Sequence, residues 1–404
     1  MDLTDVAALA QPTGEKIMLG VLDGVGGLPL EPGGLTELET ARTPNMDALL
    51  ATGDAGLHVP VATGVTPGSG PGHLALFGYD PLRYRVGRGA LAALGVEFPL
   101  QPGDIAVRGN LCTVDGEGVV TDRRAGRIAT EEAAPVLDLL DGIRVAGAQT
   151  FVRPVKEHRF LLVLRPEEAT DADIEDTDPG VTGVPPLDVV AGSASSDFAA
   201  RVAREWLARV PETLSGQPRA NMVLLRGFAT LPDWPLFPDV FRMRALAMAA
   251  YPMYRGVARL VGMDAMAVDD DPAALLPALE ARIDDYDFFF LHVKGTDKAG
   301  EDGDFRRKVD IIERVDEVLP ALRETGIGVT LITGDHSTPA KMKSHSWHPV
   351  PFLLHGGPGR GHRSEGTAGL GESECARGAL GTIRGCELMP LAAARAGRLG
   401  KYGA

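Results

Sequence analysis

Several ingredients are scarce in this sequence. It has three cysteines in 404 residues, Cys112, Cys375 and Cys386, far apart and without a C-x-x-C pair. That excludes a disulfide framework and a thiolate zinc site, and leaves the cysteines as small buried or half-buried apolar residues. No run reaches the roughly 18 consecutive apolar residues of a membrane span. The opening MDLTDVAALAQPTGEK starts acidic and lacks the basic-then-apolar layout of a secretory signal, so a cytoplasmic location is expected. Positive charge is also short. Forty lysines and arginines against 55 acidic residues give a formal net charge of −15, which argues against nucleic acid or an acidic membrane surface as the main partner. An acidic chain can still take an anionic small molecule if metals or clustered arginines concentrate positive charge locally. There is no internal repeat and no low-complexity tract.

What is present is an ordinary globular composition, 44% hydrophobic and 24% charged. The length suits two domains, or one large domain carrying an insertion. KIMLGVLDGVGG (16–27), YDFFFLHVKGTD (286–297), IGVTLITGDH (327–336) and PVPFLLHGG (349–357) read as buried strands. Between them, RTPNMDALLATG (42–53) has a helix layout, with Thr43 as cap, Pro44 at the first position and Gly53 as stop. The stretch 304–326 repeats apolar residues at helical spacing. Alternating strands and helices predict an α/β fold with a mostly parallel sheet flanked by helices. The middle differs. A hairpin turning at Asp115-Gly116, strands at 157–166 and 221–227, and an acidic Pro/Gly-rich loop predict a smaller α+β domain over 95–232. It is inserted into a core formed by 1–94 and 233–404.

Ligands of a parallel sheet bind beyond the carboxyl ends of its strands. Asp23, Asp297 and Asp335-His336 each follow a strand of the reading, and His345 and His348 come soon after in a chain with only nine histidines. Any one of these aspartates alone reads as a cap or turn residue; three with an adjacent His point to a site. Carboxylates with imidazoles suit Mn²⁺, Zn²⁺ or Fe²⁺. Ser69 follows Gly68 and opens a helix whose positive end suits an incoming phosphate, although alone it would be a plain N-cap. Direct metal coordination is one way to activate a serine hydroxyl.

The order Asp23, Ser69, Asp297, Asp335-His336, His345 resembles the alkaline phosphatase superfamily. LDGVGG, RTPNMDAL, GSGPGHLALFGYDP, VTDRRAGRI, KGTDKAGEDGDF and TGDHSTPAKMKSHSWHPVPF together resemble the archaeal-type cofactor-independent phosphoglycerate mutases, in that family's order and along nearly the whole chain. The resemblance implies an alkaline phosphatase-like core and two divalent cations. One is held by Asp23, Ser69, Asp335 and His336, the other by Asp297, Glu301 and His345. It implies Ser69 as nucleophile of a phosphoserine intermediate, and interconversion of 3- and 2-phosphoglycerate in glycolysis and gluconeogenesis without bisphosphoglycerate. The insertion would clamp the substrate, with Asp122, Arg123, Arg124, Arg127, His158, Arg159 and Arg226 as candidates. Arginine forks match phosphate and carboxylate bidentately. His73, four residues after Ser69, is a further candidate on the substrate side, with a structural role as the alternative.

Three positions depart from the family pattern. Glu301 stands where the family usually has His, which tilts its metal toward Mn²⁺ over Zn²⁺ or Mg²⁺. Arg255 stands where a lysine near the phosphoryl group is expected; it keeps the charge but cannot give up its proton. His348 replaces the usual Asp or Asn and reads as a surface histidine. The leading rival is a metal-dependent phosphomonoesterase, or a mutase for another small phosphate, on the same core. A binding protein that has lost catalysis would lack the nucleophile or several ligands, and LDGVGG lacks the G-x-G-x-x-G spacing of a dinucleotide fold.

Overall fold

A computed structural model describes residues 2–358 and 369–403. Among the described residues, thirteen strands form two sheets. In chain order they are β1 (Ile17–Leu22), β2 (Asp54–Val59), β3 (Ile105–Val114), β4 (Val120–Asp122), β5 (Ala148–Lys156), β6 (Arg159–Pro166), β7 (Met222–Ala229), β8 (Ala245–Met248), β9 (Asp264–Met266), β10 (Phe288–Val293), β11 (Val329–Thr333), β12 (Val350–Gly356) and β13 (Thr382–Arg384). The chain divides into two compact units, residues 1–85 with 234–404 and residues 86–233.

The larger unit holds an eight-stranded sheet in the order β13-β2-β12-β11-β1-β10-β8-β9. All neighbours are parallel except β12, which runs antiparallel to both β11 and β2. The central strands β10 and β11 are buried along their whole length, as a sheet covered by helices on both faces requires. Register places the site. Leu22 pairs with Val293 and Val21 with Thr333, so β1, β10 and β11 end together at one edge. Just past those ends come Asp23, Lys294 and Asp335-His336. Asp297 is not itself a strand-end residue; it lies in the first turn of the helix Gly295–Asp302 that follows β10.

The smaller unit is a five-stranded sheet, β4-β3-β6-β5 with β7 on the other side of β3 and every pairing antiparallel. Helices Thr130–Asp141 and Asp197–Thr213 contribute Leu137, Leu140, Trp206 and Val210 to its core. It begins earlier than the composition change near residue 95 suggested. Helix Arg88–Gly95 packs on it, with Ala93 in one apolar cluster with Ala106, Leu161 and Val163. A Gly-Ala-rich helix carries little periodic signal, which is why its allegiance could not be read.

Glycine lets the helix Ser69–Leu76 come close to the sheet edge. A Cβ on Gly72 would lie 2.5 Å from the Asp335 carbonyl oxygen and 3.1 Å from its Cβ. Gly72→Ala is therefore expected to destabilise the chain by about 1–3 kcal/mol, read as a lower urea midpoint at unchanged slope. A variant as stable as the parent would show that helix and edge do not pack this tightly.

Candidate active site

Asp23, Asp335 and Asp297 are 0, 0 and 1% exposed. Their side chains meet two imidazoles. His336 Nε2 lies 3.2 Å from Asp335 Oδ2, 3.4 Å from Asp23 Oδ1 and 3.2 Å from Ser69 Oγ. His345 Nε2 lies 3.6 Å from Asp297 Oδ1, and its ring stacks on that of His336 at 3.7 Å. Donor atoms of Asp23, Asp335 and His336 fall within 4.8 Å of one another, and so do those of Asp297, His336 and His345. The structure thus brings His336 to both groups, whereas the sequence reading gave it to one.

The hydrogen bonds around the rings fix their tautomers. His345 Nδ1 lies 2.9 Å from the Pro67 carbonyl, an acceptor only, so Nδ1 carries the proton and Nε2 is bare. His336 Nδ1 donates to Thr338 Oγ1 at 3.0 Å, which bares its Nε2 too. Burial lowers the His336 pKa despite Asp335 and Asp23. Meanwhile Asp23 Oδ1 is a buried oxygen without a hydrogen-bond partner among the described residues, and Asp335 Oδ2 meets only the ring nitrogens of His73 and His336, at 3.1 and 3.2 Å. Bare nitrogens facing such carboxylate oxygens are costly in a low-dielectric site unless a cation joins them. The residues present fit divalent cations.

The shell behind them holds the carboxylates in place. Burial would raise the Asp23 pKa, but the His292 hydrogen bond at 3.1 Å and the Lys294 ammonium hold it well below the usual range. Lys294 Nζ lies 3.2 Å from Asp23 Oδ2 and 2.5 Å from Asp297 Oδ2. Burial opposes its charge, yet Asp23 and Asp297 outweigh that and raise its pKa. Tyr254, 1% exposed, stacks on His292 with ring centres 4.0 Å apart.

Not every expected residue takes its expected place. His73 is fully buried, its Nδ1 2.8 Å from the Ser69 carbonyl and 3.1 Å from Asp335 Oδ2, with Tyr254, Phe290 and His292 around its ring. It sits one helical turn past Ser69 and against Asp335. Glu301 is on the helix face of Asp297, but its side chain is 55% exposed and Oε1 is 3.9 Å from His345 Nε2, at the rim of the group. Arg255 donates from Nη1 to the carbonyls of Ala249 and Ala250, and the ammonium among the carboxylates is that of Lys294. His348 contacts Ser346 and stacks on Trp347, outside both groups. Lys294, His292, Thr338 and Tyr254 were missed. The signal for Lys294 was its place, one residue past β10 and three before Asp297.

In the smaller unit, Arg108, Asn110, Arg123, Arg124, His158, Arg159 and Arg226 line a cavity of about 90 Å³. Arg108 pairs across the sheet with Arg226, and Asn110 with Arg159. Like charges directly opposite one another are unfavourable without an anion. Arg123 is held bidentately by Asp178 at 2.8 Å, and Arg226 reaches Asp176 and Asp178. Arg108 and Arg159 have no carboxylate partner among the described residues; burial and then Arg159 lower the Arg108 pKa. Burial and Arg159 likewise bring His158 down to about 4, so it is neutral. Asp122 faces its own loop, accepting from the N–H groups of Arg124 and Gly126 at 2.8 and 2.7 Å, so it shapes the arginine loop and is not free for a ligand. Arg127, at φ 52°, does not line the cavity. Arg108 went unread because it lies inside a strand; the alternation of Arg108 and Asn110 was its signal.

A serine opening a helix beside bare imidazoles and buried carboxylates defines a candidate metal-dependent phosphoryl-transfer centre. Comparison with known proteins narrows this. The family model for 2,3-bisphosphoglycerate-independent phosphoglycerate mutase matches residues 51–220. A probable mutase of that description from Thermus thermophilus is 50% identical over 410 residues, 100% of both chains. One from Deinococcus radiodurans is 47% identical over 411, again 100% of both. Among solved structures, a Pyrococcus horikoshii protein matches with TM-score 0.79 at 32% identity, over 96% of this chain and 99% of that one. The cofactor-independent phosphoglycerate mutase of Thermoplasma acidophilum matches with TM-score 0.73 at 27% identity, over 95% and 100%. The chain belongs to the 2,3-bisphosphoglycerate-independent phosphoglycerate mutases, a family of isomerases.

Two variants test the site. Asp335→Asn is expected to weaken Mn²⁺ binding by at least about tenfold in calorimetric titration. Glu301→Gln, at the exposed rim, should change it by less than about threefold. The opposite ranking would place Glu301 among the ligands.

Proposed function

We propose that this chain interconverts 3-phosphoglycerate and 2-phosphoglycerate through a phosphoserine on Ser69. The observation that carries the reading is the seat of Ser69, whose Oγ is 3.2 Å from the bare Nε2 of His336 at the start of a buried helix. The ions would be held by Asp23, Ser69, Asp335 and His336, and by Asp297 with His345. When bound, divalent cations favour the ionised serine oxygen and neutralise charge on the transferring phosphoryl group. An oxygen-rich donor set without thiolates favours Mn²⁺.

The chain's own part is nucleophilic attack, charge neutralisation and retention. Ser69 Oγ attacks phosphorus in line, and the bond from phosphorus to the glycerate oxygen breaks as the bond to Oγ forms. Lys294, kept protonated by Asp23 and Asp297, adds fixed positive charge beside the group in transfer. The other glycerate hydroxyl then attacks the phosphoserine and frees Ser69. One glycerate oxygen gains a proton and the other loses one, so no cofactor is consumed. Arg108 and Arg159, cations without carboxylate partners among the described residues, are the arginines best suited to the substrate's anionic groups. Retention of glycerate is the task we assign to the smaller unit, as its substrate-clamping domain; with water excluded, the phosphoserine returns to glycerate and not to solvent. An enzyme of this kind works in the cytoplasm.

Phosphorus NMR of Mn²⁺-reconstituted protein with 3-phosphoglycerate is expected to show 2-phosphoglycerate growing with little free phosphate. Free phosphate alone would make the chain a phosphomonoesterase. Ser69→Ala should abolish turnover with the fold intact. Arg108→Met should raise KM by roughly tenfold or more, as loss of a charged hydrogen bond does; an unchanged KM would remove Arg108 from the substrate site.

A further inference from the structure

Thr338 belongs to neither donor group, yet its hydroxyl touches a member of each. Oγ1 lies 2.6 Å from Asp297 Oδ1 and 3.0 Å from His336 Nδ1. An ionised carboxylate only accepts, so the hydroxyl hydrogen goes to Asp297 and the oxygen accepts the Nδ1–H of His336. One hydrogen-bond chain therefore fixes which His336 nitrogen is bare and where Asp297 points. Lys294 Nζ also spans the two groups, from Asp23 Oδ2 to Asp297 Oδ2; Thr338 adds the bond that sets the His336 ring.

Thr338 is itself firmly held. It is 0% exposed. Its N–H points to the carbonyls of Gly24 and Gly26 at 3.2 and 3.0 Å. Its carbonyl accepts from Lys308 Nζ at 2.9 Å, and that fully buried ammonium also donates to Gly26 at 3.1 Å. A Cβ on Gly24 would lie 2.5 Å from Thr338 Oγ1 and 2.8 Å from Asp297 Oδ1, so the loop after β1 is pressed against the same pair. A threonine tied to both neighbouring loops, with its one hydroxyl spanning the two ligands, is placed to orient them and not merely to fill space.

We propose that Thr338 is a positioning residue shared by both metal sites, setting the His336 tautomer and the Asp297 orientation together. The proposal rests on the metal-centre reading above and adds to it that the two sites depend on one hydroxyl. Its test is a Mn²⁺ titration of the EDTA-stripped full chain, followed by electron paramagnetic resonance, alongside the melting temperature. The parent is expected to bind two ions. Thr338→Val, similar in shape but without the hydroxyl, should weaken both by about tenfold or more, as removal of a partner behind a ligand does. Thr338→Ser, which keeps the hydroxyl, should stay within about threefold of the parent for both. A Val variant with a lower melting temperature but unchanged affinities, or with only one ion weakened, overturns the proposal and leaves the metal centre standing. A Ser variant weakened like Val overturns it as well, and that arm stands even if the Val chain does not fold. A parent that binds no Mn²⁺ removes the metal centre itself, a distinguishable failure.

Discussion

Everything in the larger unit answers to the crowding of three buried carboxylates at one sheet edge. Asp23, Asp335 and Asp297 are all but fully buried, and Lys294 is the ammonium that touches two of them. Ionised groups out of water are tolerated only when paired or metal-bound. The register of β1, β10 and β11 creates the crowding, and Gly24 and Gly72 allow the chain to close around it. His73 and His292 stand behind the carboxylates, each against one of them. Burial opposes the ionised forms of Asp23 and Asp335, and the positive and polar groups around them outweigh it and lower both pKa values. A centre so arranged is built for added positive charge.

One cavity of the smaller unit presents the opposite imbalance. The chain is acidic by 15 charges, yet Arg108 faces Arg226 across two strands with Arg159 alongside. Asp176 and Asp178 answer part of that charge and leave part of it unmatched.

Much of this was legible, for physical reasons. Strand-end residues of a parallel sheet share an edge, so Asp23, Asp335 and His336 could be placed from strand patterns alone, and Ser69 from its helix start. Chain order does not convey rotation about a helix, so the substrate-side and structural readings of His73 both stayed open; in the fold one turn of helix points it inward at Asp335. Lys294 was passed over because a lysine after a strand usually means solvent. Asp122 looked like part of a charged binding loop, but its oxygens are spent on backbone N–H groups of that loop. The antiparallel β12 carries the same unbroken apolar run as its parallel neighbours, so its direction left no mark in the sequence.

The most direct measurement is anomalous X-ray diffraction from crystals of the full chain grown with Mn²⁺. The account predicts two anomalous peaks at the edge of the larger sheet, one in contact with Asp23, Asp335 and Ser69, the other with Asp297 and His345, with His336 a ligand to one of them. Ordered carboxylates at that edge with no peak beside them, in crystals where Mn²⁺ is bound elsewhere, would contradict it.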